Sequence, residues 1–192
     1  MQENDQLGES LVYDGLVPIS WQLLTGELAP ARQLEISESN EDVLRFIAAL
    51  EEYRAEVHDE AQEGNAPDLS RVEMKTDLIL EMVAQILAQQ MKAPSPVQIW
   101  LSATGISWMA PSSVPEVGQK LSVDVYIDQR YPRPLTFQGK VTLVSEQAGE
   151  KRVMMGFENL SHAVRGGLEK LIFRQHRRII ALNKHQSGTS TI

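Results

Sequence analysis

The chain has no cysteine, so a disulfide framework, a Cys-ligated zinc site and a cysteine nucleophile are excluded together. It also lacks any run of about 18 apolar residues, the length a membrane-crossing helix needs, so no membrane insertion is expected. Its opening, Met-Gln-Glu-Asn-Asp-Gln, is acidic and polar where a secretory leader is basic and then apolar, which predicts a cytoplasmic protein. His58, His162, His176 and His185 have no ligand spacing to one another, and G-x-S-x-G, P-loop and G-x-G-x-x-G patterns are missing. No metal, no cofactor and no enzymatic activity is therefore expected. Glu51, Glu52, Glu56, Asp59 and Glu60 could be imagined as a carboxylate site, but they share a helix with an apolar stripe and decorate its wet face.

What is present is enough for a real core: 192 residues, 42 % of them hydrophobic, fit one domain or one domain with an appendage. The net charge of -8 hides an asymmetry. Residues 1–93 carry 19 acidic against 6 basic side chains, and residues 94–192 carry 7 against 12. That division argues against a DNA or RNA partner, while the mildly basic second half leaves room for a small anionic ligand or an acidic partner. Two solvated faces of opposite sign would produce the same counts.

Four segments follow from the pattern. Residues 1–37 are an N-terminal segment: a structureless lead, then an apolar and aromatic stretch in which Leu16-Val17-Pro18-Ile19-Ser20-Trp21 reads as an edge strand, Pro18 opposing a long helix. Residues 38–93 read as a long helical hairpin. Ser37-Glu38-Ser39-Asn40-Glu41-Asp42 looks like a helix start with Ser39 or Asn40 as cap, and Val43, Ile47, Leu50, Val57 and Ala61 form a stripe. After Glu63-Gly64-Asn65-Ala66-Pro67 a second helix carries Leu69, Val72, Thr76, Ile79, Val83, Ile86 and Gln90 at three-four heptad spacing. Such a seam either covers the strands of its own chain or, as more than three repeats suggest, drives self-association. Leu69, Val72, Ile79, Val83 and Ile86 are the predicted oligomerisation residues, in a dimer or tetramer. Arg71 and Lys75, beside Glu73 and Asp77, read as ordinary helix pairing.

Residues 94–183 read as five or six short antiparallel strands with a closing helix, and residues 184–192 as a flexible tail. The organising stretch is Val97 to Ile106, V-Q-I-W-L-S-A-T-G-I. Its two-residue alternation gives a strand, and Ser102-Ala103-Thr104-Gly105 gives a tight turn into a second strand, Ile106-Ser107-Trp108-Met109. Further strands follow at 121–127, at 135–144, with Gly139 as a possible bulge, and at 152–157. The closing helix, 161–182, turns Leu168, Leu171, Ile172, Ile179 and Leu182 inward and Arg174, Arg177 and Arg178 outward.

Taken with F-E-N-L-S at 157–161 and the closing helix, this order resembles a PilZ domain, whose [Asp/Asn]-x-Ser-x-x-Gly motif closes such a turn. Ser102 and Gly105 match the motif; Trp100 stands where the family has Asp or Asn. The family's Arg-x-x-x-Arg pair would fall at Val12 and Leu16, both apolar. The inserted heptad helices resemble the atypical, self-associating subclass. The resemblance implies an α+β fold, a small antiparallel PilZ-like β-barrel with a C-terminal helix and an inserted long helical hairpin.

PilZ domains are receptors for cyclic di-GMP, so the resemblance implies a signalling role for this chain. Guanidinium groups fork onto phosphates and stack on guanine, and each missing motif arginine removes a charge-assisted contact of about 1.5–3 kcal/mol. The expectation is a non-enzymatic adaptor in cyclic di-GMP-dependent regulation that associates with itself and binds a protein partner. The alternative is a receptor that holds the nucleotide as a ligand through a non-standard site, with Ser102, Gly105, Arg130 and Arg133 as candidate binding residues. Lys151, Arg152, Arg174, Arg177 and Arg178 are further cations. Trp100 and Trp108 serve either barrel packing or base stacking.

Overall fold

The computed structural model describes residues 11–63, 72, 75, 76, 79, 82, 83, 94–111, 113–128, 133–147 and 149–187. In chain order they form β1 (Tyr13–Leu23), α1 (Pro30–Glu63), β2 (Pro96–Leu101), β3 (Gly105–Ala110), β4 (Lys120–Val125), β5 (Leu135–Gln147), β6 (Glu150–Phe157) and α2 (His162–Ser187). The six strands close into an antiparallel barrel in the order β1-β2-β3-β6-β5-β4. The fold is α+β, with the helical insert lying between β1 and β2 as expected.

β1 closes the barrel by dividing its length between two neighbours. Tyr13 to Pro18 pair with β2, and Ile19 to Leu23 pair with β4. Pro18 stands at the handover, where it has no N–H to give the ladder and its carbonyl accepts from Tyr126 N at 3.0 Å. The edge-strand reading of this segment is thereby corrected, because a proline is tolerated wherever a strand changes partner, not only at an open edge. Alternation then fills the interior: Val17, Ile19, Ile99, Leu101, Ile106, Trp108 and Met155 are buried from successive strands, and the Phe137 and Phe157 rings stack at 4.4 Å.

Gly139 is not a bulge. The irregularity in β5 lies between Val141 and Leu143. Gly139 is instead a point of close approach, where an added Cβ would sit 2.1 Å from the Gly156 carbonyl oxygen.

The first helix begins at Pro30, ahead of the start expected in residues 37–42. Pro30 suits a first helical position, and Arg32 N and Gln33 N bond the Ala29 carbonyl. Asn40 is no cap; it is buried within α1, where its side-chain amide meets Thr136 of β5. Val43, Leu44 and Ile47 join Val164, Leu168 and Leu171 of α2 in the core. Leu44 lies against Gly167, and Glu51 meets Arg174 at 3.5 Å. The offset between partners is the same in both pairs, so α1 and α2 run parallel and in step.

Ser161 caps α2, its Oγ accepting from Val164 N at 3.1 Å. The inward face ends earlier than expected. Leu168, Leu171 and Ile172 are buried but Ile179 is exposed, because a helix of 26 residues spans about 39 Å and outruns the barrel. Arg174, expected outside, is half-buried against Glu51. α2 continues to Ser187, past the expected start of the tail, and Leu182's side chain lies outside the described residues. In the insert, positions 72, 75, 76, 79, 82 and 83 are helical. Leu69, Ile86, Arg71 and the hinge expected at 64–67 lie outside the described residues. No described helix is long and apolar enough to cross a membrane.

Candidate functional site

The Ser-x-x-Gly turn forms as expected between β2 and β3. Ser102 N donates to the Gly105 carbonyl at 2.9 Å. The buried Ser102 Oγ accepts from Thr104 N at 3.2 Å and Gly105 N at 3.1 Å, and lies 3.1 Å from the Gly105 carbonyl and 3.2 Å from Thr104 Oγ1. A hydroxyl offers one donor and two acceptor sites. Both acceptor sites are used by the turn's own amides, and its donor has acceptors inside the turn. Gly105 is equally committed to the fold, since a Cβ there would sit 2.6 Å from the Met155 carbonyl oxygen of β6. Phe157 N donates to the Thr104 carbonyl at 2.9 Å and ties the turn to the end of β6.

The outer face beside this turn carries a different constellation. Ile106 and Trp108 point into the core, so Ser107 points outward, yet it is fully buried. Arg152 of β6 covers it, its Nε and Nη2 donating to Ser107 Oγ at 3.3 and 3.0 Å. The guanidinium lies 4.2 Å above the centroid of Trp100, the residue at the motif's Asp/Asn position. Arg152 pairs with Met109, two positions from Ser107, and reaches diagonally across β3 to β2. It is therefore a held side chain, not the freely solvated charge that a lone strand arginine suggests. Next to Trp100, Gln98 Nε2 donates to Asp14 Oδ1. Leu16, at the second motif-arginine position, faces Gln98 and is 70 % exposed.

The other candidate cations that are described lie on several different elements. Arg133 Nη2 donates to Ser39 Oγ of α1 at 3.2 Å, which places it against the helix. Arg130 lies outside the described residues. Lys151 pairs with Ala110 at the far end of β3, and Arg177 lies 6.0 Å over Phe173 on α2. Among the described residues no group of His, Asp and Glu side chains could hold a metal ion.

At the barrel mouth α2 meets β1. Gln175 Nε2 donates to the Asp14 carbonyl at 3.0 Å. Gly15, on the same face as Tyr13, leaves the space over which the Tyr13 ring folds, 3.5 Å from where a Cβ would be. Burial, and after it the charges of Asp128 and Glu51, raise the Tyr13 pKa above the usual tyrosine value.

Among the described residues of the inserted helix the apolar side chains are exposed. Val72, Ile79, Met82 and Val83 are 59, 61, 55 and 47 % exposed, while Thr76 Oγ1 bonds the Val72 carbonyl at 3.0 Å. Residues 72, 76, 79 and 83 keep the expected four-three-four spacing on helical backbone.

A closed six-stranded antiparallel barrel with a Ser-x-x-Gly turn between its second and third strands and a terminal helix across its mouth defines a PilZ-type domain. A family model described as "Atypical PilZ domain, cyclic di-GMP receptor" matches residues 44–185, and the chain belongs to that family. In fold it is similar to a pathogenic protein from Xanthomonas campestris, described as a tetrameric PilZ domain self-assembled via a helical bundle. The two are 22 % identical, with 90 % of this chain and 91 % of that one covered and a TM-score of 0.66. Weaker likenesses are to the PilZ domain of Escherichia coli YcgR with c-di-GMP and to the Bacillus subtilis inhibitor of motility MotI/DgrA. The first is 20 % identical over 47 % of this chain and 79 % of that one, TM-score 0.39. The second is 12 % identical over 43 % and 42 %, TM-score 0.38. No curated protein sequence matches the chain.

Proposed function

We propose that the chain is a non-enzymatic signalling adaptor of cyclic di-GMP-dependent regulation that self-associates through its inserted helix and binds a protein partner. The observation that carries this reading is the row Val72, Ile79 and Val83, 59, 61 and 47 % exposed at heptad spacing. Each such side chain gains roughly 1.5–3 kcal/mol on full burial, so a row of them left in water favours a second helix. The turn supports the same reading from the other side, because Ser102's hydrogen-bonding capacity is used within the hairpin and Leu16 occupies a motif-arginine position. The helical-bundle tetramer of the Xanthomonas relative is consistent with it.

A second reading is favoured by the family's description as a cyclic di-GMP receptor and by the Arg152–Trp100 stack. In it the nucleotide is held by a rearranged site in which a guanine lies on the guanidinium already backed by an indole. Titration calorimetry of the full chain with cyclic di-GMP separates the two. The adaptor reading predicts no saturable heat up to tens of micromolar nucleotide. Saturable heat that Arg152→Ala abolishes and Ser102→Ala leaves intact establishes the second reading. Sedimentation velocity in the same buffer tests self-association independently of either result.

A further inference from the structure

Down one side of α2 runs a row at alternating spacings of four and three residues: Gly166, Lys170, Phe173, Arg177 and Ile180. That spacing puts them on a single helix face, the one turned away from the buried Leu168 and Leu171. Lys170 and Arg177 are exposed, and Phe173 and Ile180 are 51 and 43 % exposed. Gly166 weakens the helix relative to alanine without serving the chain's own packing, since a Cβ there meets nothing within 4 Å. The row is divided into two sets. Every second position is a cation, Lys170 and Arg177, and the positions between are small or apolar, Gly166, Phe173 and Ile180.

The cations are not engaged elsewhere. Neither Lys170 nor Arg177 has an ion pair among the described residues. Arg177 lies instead 6.0 Å over the Phe173 ring one turn back, so its charge stays within the row. Past Glu169 the sequence has no Asp or Glu, so α2 itself supplies no later carboxylate to neutralise them.

Spacing and charge together select the occupant. Four-three spacing is the seam on which another helix packs. A second copy of α2 does not suit it: laid parallel it sets Lys170 on Lys170 and Arg177 on Arg177, and laid antiparallel it leaves each cation without a counter-charge. A membrane surface does not suit it either, because an interfacial helix keeps its cations on the side opposite its apolar residues, and here the two kinds share one face. What fits is a helix with apolar side chains at one seam position and carboxylates at the other.

We infer that the row from Gly166 to Ile180 is the docking surface for an acidic amphipathic helix of a different protein. This surface rests on the adaptor reading put forward above, gives its protein partner a place and a chemistry, and is separate from the inserted helix. Phe173 and Ile180 supply the apolar contact, Lys170 and Arg177 pair with the carboxylates, and Gly166 lets the partner's backbone come close.

Binding of a fluorescent peptide to the full chain, followed by anisotropy, tests this surface. The probe is a synthetic amphipathic helix of about three heptads with leucine and glutamate at its two seam positions, and its counterpart has lysine for each glutamate. Saturable binding of the glutamate peptide and none of the lysine peptide is expected. Lys170→Glu with Arg177→Glu should weaken the glutamate peptide by roughly tenfold or more and admit the lysine peptide. Its melting temperature should not change, because both side chains are exposed. Ile180→Ser, which keeps the charges, should weaken the glutamate peptide by roughly fivefold. No binding of the glutamate peptide, equal binding of the two peptides, or binding that the charge reversal leaves unchanged overturns the surface. So does cosedimentation of the wild type with vesicles of phosphatidylglycerol and phosphatidylcholine in equal parts that the charge reversal abolishes, which assigns the row to a membrane. A changed assembly mass in the charge-reversed variant assigns the row to contact between copies and overturns the surface as well. The adaptor reading itself stands or falls on the calorimetry and sedimentation given above, so its failure and that of the surface are told apart.

Discussion

The side-chain amide of Asn40 grips both backbone groups of Thr136: Nδ2 donates to the carbonyl at 2.8 Å and Oδ1 accepts from the amide at 2.8 Å. Pairing of β5 with β6 begins only at Gly139 and Phe157, so the strand's first residues have a free side that would otherwise be an unpaired edge. A buried asparagine in mid-helix occupies that edge as a strand would. Through it the long α1 is registered on the barrel.

Asn40→Ala leaves a backbone donor and a backbone acceptor buried without partners. At about 1–3 kcal/mol for each such group, a loss of roughly 3 kcal/mol is expected in urea unfolding. Asn40→Asp should be no better, since a carboxylate keeps the bond from Thr136 N but sets an oxygen against the Thr136 carbonyl.

The turn residues should behave as parts of the fold. Ser102→Ala removes the acceptor for two turn amides and is expected to cost about 1–2 kcal/mol. Gly105→Ala and Gly139→Ala force backbone apart, with Cβ at 2.6 and 2.1 Å from carbonyl oxygens, and overpacking of this kind costs about 1–3 kcal/mol or more. Gly156→Ala, with its nearest neighbour 3.6 Å away, should be the mildest of the three. Thermal melts of the set check the order Gly139, Gly105, Gly156.

The barrel was legible because period-two alternation and Gly or Pro turns are local signals, and the strands from Val97 onward announce themselves by them. The start of α1 was not. Residues 30–41 offer few apolar side chains at helical spacing, Leu34 is exposed, and the segment is held by Asn40 bonding a residue 96 positions away. Arg152 stood among the candidate cations, but its partners were hidden for the same reason: Ser107 and Trp100 become its neighbours only once β3 is placed between β2 and β6. The motif match at Ser102 and Gly105 identified the turn correctly, yet spacing cannot say whether a hydroxyl is offered outward or consumed locally. Ile179 misled because helical period continues past the point where the barrel ends.

Arg152→Ala should uncover the Ser107 hydroxyl and remove the cation from Trp100. The expected cost is about 1–3 kcal/mol, with a change in tryptophan emission on excitation at the indole band. The mass of the assembly should not change, because the pair lies on the barrel and not on the inserted helix.

Stability should fall at alkaline pH. Burial, with Asp128 and Glu51 adding to it, raises the pKa of Tyr13, and burial with Asp124 raises that of Tyr126. The folded chain thus holds both protons more tightly than the unfolded chain. Their contribution is complete below about pH 10, the unfolded value, and is lost as pH rises through the folded values. Urea midpoints measured from pH 8 to 11 should decline, and Tyr13→Phe should flatten the decline more than Tyr126→Phe, since Tyr13 is the more deeply buried.

The most direct test of the account is the mass of the full chain by light scattering at tens of micromolar, measured for the wild type and for Ile79→Glu with Val83→Glu. A multiple of 21.5 kDa for the wild type that collapses to one protomer in the variant, with strand content unchanged by circular dichroism, is the predicted result. A wild type of 21.5 kDa contradicts it.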